Sequence, residues 1–185
     1  MPPLDRVDAS AARARRARLI LVCGLGGSGK TTLADGLARE LNVACLHKDD
    51  VKTALHDVGI VTARSFDVFQ ALVERQLSNR VDLVIEATMH VPADWGLLRR
   101  WQEAFDLDLV CVICTADRAE RERRIQARTR HPAHAEADRR QLVEPDPVVE
   151  YGQLPGAHIP ITTDGDPSTS VRVVLDRLAA LPRER

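Results

Sequence analysis

Strands alternating with helices along the chain predict an α/β fold built on a parallel sheet. Three observations carry that expectation. Apolar runs of strand length recur between helix-periodic stretches, a glycine-rich turn joins the first strand to the first helix, and no internal repeat or low-complexity tract interrupts the pattern. The 185 residues suit one domain, with at most a small appendage, and are ample for a core. Hydrophobic and charged fractions of 44% and 29% are those of a folded globular chain rather than a disordered one.

Residues 1–17, rich in Pro, Ala and Arg, are expected to form a flexible arm or a short exposed helix, with 18–185 as the folded domain. Arg13, Arg15, Arg16 and Arg18 would suit a polyanion, but a solvated arm is the simpler reading. Residues 18–23 read as a buried strand. After the glycine-rich turn, a helix runs to about Leu41, with Leu33, Leu37 and Leu41 at i, i+4 and i+8. Residues 43–47 form the second strand, 51–79 weakly helical segments, 81–86 a strand, 95–105 a helix and 107–114 the next strand. Residues 117–130 read as an Arg-rich helix, and 131–155 as a polar, Pro-broken, irregular stretch. Residues 159–163 make a last short strand. Residues 167–181 close the chain as a helix, with Val171, Val174, Leu175 and Leu178 on one face.

Charge and composition exclude several classes. With 26 Lys plus Arg against 27 Asp plus Glu, net charge −1 and a pI near 6.6, there is no bulk electrostatic case for nucleic acid or anionic membrane. Aromatics at 3% offer little stacking surface for an extended single strand. Clean apolar runs such as 19–23 are far too short to cross a bilayer and no signal-peptide core is visible, so a cytoplasmic location is expected. Cys23, Cys45, Cys111 and Cys114 all fall in apolar runs. Cys111 and Cys114 form a C-x-x-C, redox-active or half a zinc site in principle, yet residues three apart on a strand point to opposite faces. A buried structural role is the better reading.

The segment 24–32 carries the chemistry: Gly24-Leu25-Gly26-Gly27-Ser28-Gly29-Lys30-Thr31-Thr32 contains G-x-x-x-x-G-K-[ST] in full, preceded by a strand and followed by a helix. Glycines let backbone N–H groups turn inward and cradle phosphate oxygens, and the helix N-terminus adds its positive dipole end. Lys30 reaches the β- and γ-phosphates, and the Thr31 hydroxyl is placed to ligate Mg²⁺. Only three of the 26 basic residues are lysines, Lys30, Lys48 and Lys52, so a lysine at the motif position stands out from an arginine background. GTPases read guanine with N-K-x-D after a strand. The nearest string here, Asn79-Arg80-Val81-Asp82, has Arg for Lys and precedes one. Large ATPase motors need a longer chain; a small kinase fits.

Its further parts can be located. Asp49 and Asp50 end the second strand, where a carboxylate can accept a hydroxyl proton as phosphoryl transfer proceeds. Asp49 lies nearer the strand end and is read as the base, with Asp50 as N-cap of the next helix. The swapped roles, and a capping role for both, stay open. Lys52 suits a substrate anion. Glu86 closes a hydrophobic strand, where an acid holds Mg²⁺ through water. His90, shortly beyond, either faces substrate or sits in an exposed loop. Eight arginines lie between 118 and 140, and Arg121, Arg124 and Arg128 share the i, i+3, i+7 spacing of one helix face. Arginines closing over a nucleotide neutralise transition-state charge, so a cationic lid is expected at about 118–140, with Arg124 and Arg128 as its acting residues.

These pieces resemble small kinases of the P-loop superfamily labelled AAA-type ATP-binding or zeta-toxin/chloramphenicol-phosphotransferase-like proteins. The likeness rests on residues 24–32, Asp49-Asp50-Val51-Lys52, the strand ending in Glu86, and Glu122-Arg123-Arg124-Ile125-Gln126-Ala127-Arg128; the Arg130-His131-Pro132-Ala133-His134 segment is similar to that of some members. Two positions depart from the family pattern: Lys52 stands for the usual arginine and Glu86 for the commoner aspartate. The resemblance implies a three-layer αβα sandwich, a parallel five-stranded sheet ordered 2-3-1-4-5, a helical lid, and ATP with Mg²⁺ as donor. The expected activity is transfer of the γ-phosphoryl group to a hydroxyl of a small-molecule acceptor. A phosphate acceptor, as in nucleoside monophosphate kinases, and a nucleotide-dependent switch with slow hydrolysis are the alternatives.

Overall fold

The computed structural model describes residues 16–129 and 131–182. Five strands, β1 (Arg18–Cys23), β2 (Ala44–His47), β3 (Leu83–Glu86), β4 (Asp108–Thr115) and β5 (Ala157–Thr162), form one parallel sheet in the order 2-3-1-4-5. Seven helices connect or follow them: α1 (Lys30–Leu41), α2 (Lys48–Asp57), α3 (Ser65–Ser78), α4 (Pro92–Phe105), α5 (Arg118–Ala127), α6 (Ala135–Val143) and α7 (Pro167–Ala180).

The central strands are buried on both faces, so they read as continuous apolar runs rather than alternating ones. Alternate residues still sort between two cores. Leu19, Leu21, Leu83, Ile85 and Cys111 meet α3 and α4 through Phe69, Val73, Leu98 and Trp101. Ile20, Val22, Val84, Val112 and Cys114 meet α1 and α7 through Leu33, Leu37, Val174 and Leu178. Helices on both faces of the sheet make the three-layer αβα sandwich of a P-loop NTPase. Cys111 and Cys114 lie in opposite cores, and burial pushes both thiols up to about 12. The two thiols therefore do not face one another.

Of the expected arm, residues 1–15 lie outside the described residues. Its last two residues are packed: Ala17 is buried and its carbonyl accepts from Asp108 N at 3.0 Å, while Arg16 pairs with Asp106 at 2.8 Å. Arg18 is a buried tie at the far end of the sheet, reaching the Asp108 carboxylate at 2.5 Å and the Leu178 carbonyl at 3.2 Å.

Three local expectations need correction. Helix α2 begins at Lys48 with His47 as its N-cap, so Asp50 sits inside the first turn rather than capping it. Acids are favoured there by the helix dipole, which is why both Asp49 and Asp50 tolerate the position. The stretch after 131 is not irregular throughout: a 3₁₀ turn, Pro132–His134, leads into nine-residue α6. Finally, α5 ends at Ala127, leaving Arg128 extended at φ −96° and ψ 137°, so it does not continue the helix face of Arg121 and Arg124.

Candidate phosphate-binding and phosphoryl-transfer site

The loop between β1 and α1 hangs at the C-terminal edge of the sheet. Gly27 has φ +76°, and a Cβ there would stand 2.6 Å from the Arg121 carbonyl, so both the conformation and the close approach of α5 require glycine. Gly26 is different. Its backbone tolerates any residue, but a Cβ would fall 1.5 Å from Gln141 Oε1, in space the α6 side chain occupies.

The loop, the starts of α1 and α2, the end of β3, α5 and α6 surround a cleft of about 280 Å³, lined by Gly26, Gly27, Gly29, Lys30, Thr31, Thr32, Lys48, Asp49, Glu86, Arg124, Arg128 and Gln141 among others. Lys30 Nζ donates to the Leu25 carbonyl at 3.1 Å and lies 3.6 Å from Glu86 Oε1. Glu86 is 6% exposed at the end of β3. Its other oxygen is 3.3 Å from His47 Nδ1, and His47 Nε2 is 3.0 Å from Asp35 Oδ1 and 3.3 Å from Cys45 Sγ. The bond to Cys45, and next that to Glu86, push the imidazole pKa up to about 11 against the downward pull of burial. Asp49 Oδ1 faces Lys48 Nζ at 3.5 Å and His134 Nδ1 at 3.8 Å.

The arginines of 118–128 have separate duties. Arg121 is buried, bonded to the Asp146 carboxylate and 3.5 Å from the Gly26 carbonyl, and it holds Asp146 below the usual carboxylate range. Arg124 donates to Gly27 O at 3.2 Å, Thr163 O at 2.7 Å and Glu120 at 2.7 Å, so it straps the loop to the end of β5. Arg128 reaches Asp138 of α6 at 3.0 Å. His134, 4% exposed, bonds Thr53 Oγ1 at 3.0 Å and seats the 132–134 turn on α2.

The structure therefore gathers Lys30, Thr31, Asp49, Glu86, Arg124 and Arg128 around one cleft. Asp50 and Lys52 are not among its lining residues. Lys52 lines a neighbouring hollow of about 300 Å³ with His56, Ile60 and Pro132, and Asp50 is exposed. His90 is exposed as well. Ser28, a loop residue, is buried beneath the cleft, its carbonyl accepting from Thr163 Oγ1 at 2.7 Å. Gln141, Thr163 and His47 were not foreseen. Each is remote in sequence from the motif it touches; the one usable signal is that His47 closes an apolar run just before Lys48-Asp49-Asp50.

The donor set fits a magnesium nucleotide: a hydroxyl at Thr31, a buried carboxylate at Glu86, an ammonium at Lys30, and a glycine loop whose inner face a Cβ would fill. A parallel 2-3-1-4-5 sheet carrying such a loop defines a small protein of the P-loop NTPase fold. The profile of the AAA domain family AAA_33 matches residues 19–144, and the chain belongs to that family. No curated protein matches the sequence.

Among solved structures, a candidate kinase from Chloroflexus aurantiacus superposes with a TM-score of 0.71 at 21% identity, covering 90% of this chain and 98% of that one. The APS kinase of Mycobacterium tuberculosis in complex with AMPPNP and APS superposes with a TM-score of 0.62 at 18% identity, covering 89% and 99%. A gluconokinase from Sinorhizobium meliloti does so with 0.57 at 18%, covering 90% and 94%. At these identities the likeness establishes the fold.

Proposed function

We propose that the chain is a cytoplasmic ATP- and Mg²⁺-dependent kinase that moves a γ-phosphoryl group to a hydroxyl of a small-molecule acceptor. The observation that carries this reading is the convergence of Lys30, Glu86 and Asp49, from three separate elements, on the cleft over the glycine loop. Bound ATP with Mg²⁺ supplies the electrophilic phosphorus and part of the neutralising charge. Amides of Gly26, Gly27, Gly29 and Lys30 orient the phosphates, and Lys30 Nζ turns from the Leu25 carbonyl to phosphate oxygen. Thr31 Oγ1 and the Glu86 carboxylate hold the cation. Asp49 Oδ1 receives the acceptor proton, with His134 and Lys48 fixing its position. Arg124 and Arg128, in a lid of about 118–140, stabilise charge on the transferring group and exclude water. Asp50 and Lys52 lie outside the cleft's lining, so they would meet only an acceptor that extends along α2, Lys52 from the neighbouring hollow.

A carboxylate at Asp49 repels an anionic acceptor, which favours a neutral hydroxyl over a nucleoside monophosphate. The test is an acceptor panel read by ADP release. Acceptor-dependent release is expected from the wild type, and Asp49→Asn should lose about 10²-fold or more in kcat while nucleotide affinity holds. Turnover that ignores every acceptor would support the switch instead. Undiminished transfer by Asp49→Asn would remove that residue from the base role.

A further inference from the structure

We propose that Asp35, Cys45 and His47 form a binding site for a divalent transition metal of the zinc class, beside the phosphate cleft and joined to it through Glu86. The proposal stands independently of the kinase reading. Cys45 and His47 are two apart on β2 and therefore share its α1-facing side, opposite Val84 and Glu86 of β3 in the parallel register. Asp35 comes down from α1. The three donor atoms lie within 4.8 Å of one another, and His47 Nε2 is 3.0 Å from Asp35 Oδ1 and 3.3 Å from Cys45 Sγ. Metal–ligand bonds of about 2.0–2.3 Å in a tetrahedron place ligand atoms roughly 3.3–3.7 Å apart, so the two His47 contacts need open by only a few tenths of an ångström to admit the ion.

Orientation of the imidazole is the more specific observation. A metal-ligating histidine hands its other ring N–H to a carboxylate, which fixes tautomer and ring plane. Here Nδ1 faces Glu86 Oε2 at 3.3 Å, and Nε2 is the nitrogen turned to the thiol and the second carboxylate. One sulfur, one nitrogen and one carboxylate oxygen with a fourth position for water suit zinc, whereas Mg²⁺ and Ca²⁺ take oxygen alone. Asp35, 47% exposed, leaves an entry path, and His47 at 9% supplies a sheltered ligand.

A second cluster among the described residues, His56, Asp57 and His131, lacks this arrangement. His131 Nδ1 accepts from Ala133 N at 3.2 Å, which commits its Nε2 proton to Asp57 at 2.8 Å. Uptake of one dication is balanced by protons: any proton carried by His47 Nε2 or Cys45 Sγ leaves to solvent, Nδ1–H stays on the ring facing Glu86, and no electron moves.

Metal-stripped full-length protein titrated with Zn²⁺ alone should bind one ion in the micromolar range or tighter. Cys45→Ser and Asp35→Asn, near-isosteric changes, should each weaken it about tenfold or more. Co²⁺ should give a thiolate charge-transfer band in the wild type that Cys45→Ser lacks. A measurement on the unmodified protein complements the variants. Cys45 is half-buried and the other three thiols are buried, so a thiol reagent should find one fast-reacting cysteine in the native state, which Zn²⁺ protects. Zinc affinity unchanged by Cys45→Ser, uptake abolished by Asp49→Asn instead, or a fast thiol indifferent to Zn²⁺ would each overturn the proposal.

Discussion

On one side of the cleft, the loop 24–31 is strung between β1, buried at every residue, and α1, whose Leu33, Ala34, Leu37 and Ala38 are buried. Facing it, the described residues of 118–146 bury little beyond Arg121, Ile125, His134 and Asp138. That segment is held chiefly by ion pairs: Arg118–Glu122, Arg123–Glu120, Arg139–Glu136 and Arg140–Glu136 at the surface, Arg121–Asp146 and Arg128–Asp138 deeper in. Apolar burial at about 25 cal/mol per Å² holds a part permanently, while exposed pairs contribute little each and exchange readily with water. The contrast suits a preformed phosphate cradle facing a wall that can rearrange.

Substitutions can break or sharpen this contrast, and the largest effect should come from the cradle. Lys30→Met should lower acceptor-dependent turnover by about 10²–10³-fold, with thermal stability nearly unchanged, because the residue acts on developing charge rather than on the core. Circular dichroism melting beside the ADP-release assay checks both halves. Next is the root of the opposing wall. Arg121→Ala removes a buried guanidinium that ties Asp146 and Gly26, and denaturant titration should show a loss of about 2 kcal/mol.

The contact between the two sides is smaller and can be isolated by a double-mutant cycle. Gly26→Ala displaces the Gln141 amide and should weaken nucleotide binding about tenfold, and adding Gln141→Ala should restore most of it. Additive losses would show that the two residues do not communicate. The least effect belongs to the surface pairs one at a time: Glu136→Gln should leave the melting temperature within about 2 °C.

Acid tests them together. Glu120 is drawn down to about 2, first by Arg123 and then by Arg124, and Glu136 is lowered by Arg139 and Arg140. A depressed carboxylate pKa gives stabilisation that is full above the ordinary value, near 4.5, and fades as pH falls toward the depressed one. Amide exchange in 118–146, corrected for intrinsic rates, should therefore accelerate relative to α1 between pH 5 and about 2.5.

The fold was legible because its signals are local. Apolar runs, the Leu33–Leu37–Leu41 spacing and the glycine loop each report on the few residues around them, and every expected strand is present within a few residues of its expected ends. Helix α6 was missed because Pro132 and a polar composition look like loop. Its helicity rests on the dipole-favoured acids Glu136 and Asp138 in its first turn and on docking through Arg128–Asp138. Arg121, Arg124 and Arg128 looked equivalent at helical spacing, yet one is buried, one straps the loop and one lies beyond the helix end.

What the amino-acid order determined by itself is the strands, the helices other than α6 and the phosphate loop, since backbone conformation, helix periodicity and glycine placement act over a few neighbouring residues. Tertiary structure alone decided who shares the cleft. Gln141 lies over Gly26, His47 links Glu86 to Asp35, and Lys52 opens onto a separate hollow. Those contacts span from about a dozen to more than a hundred residues, and sheet order and helix packing, rather than local propensity, set such distances.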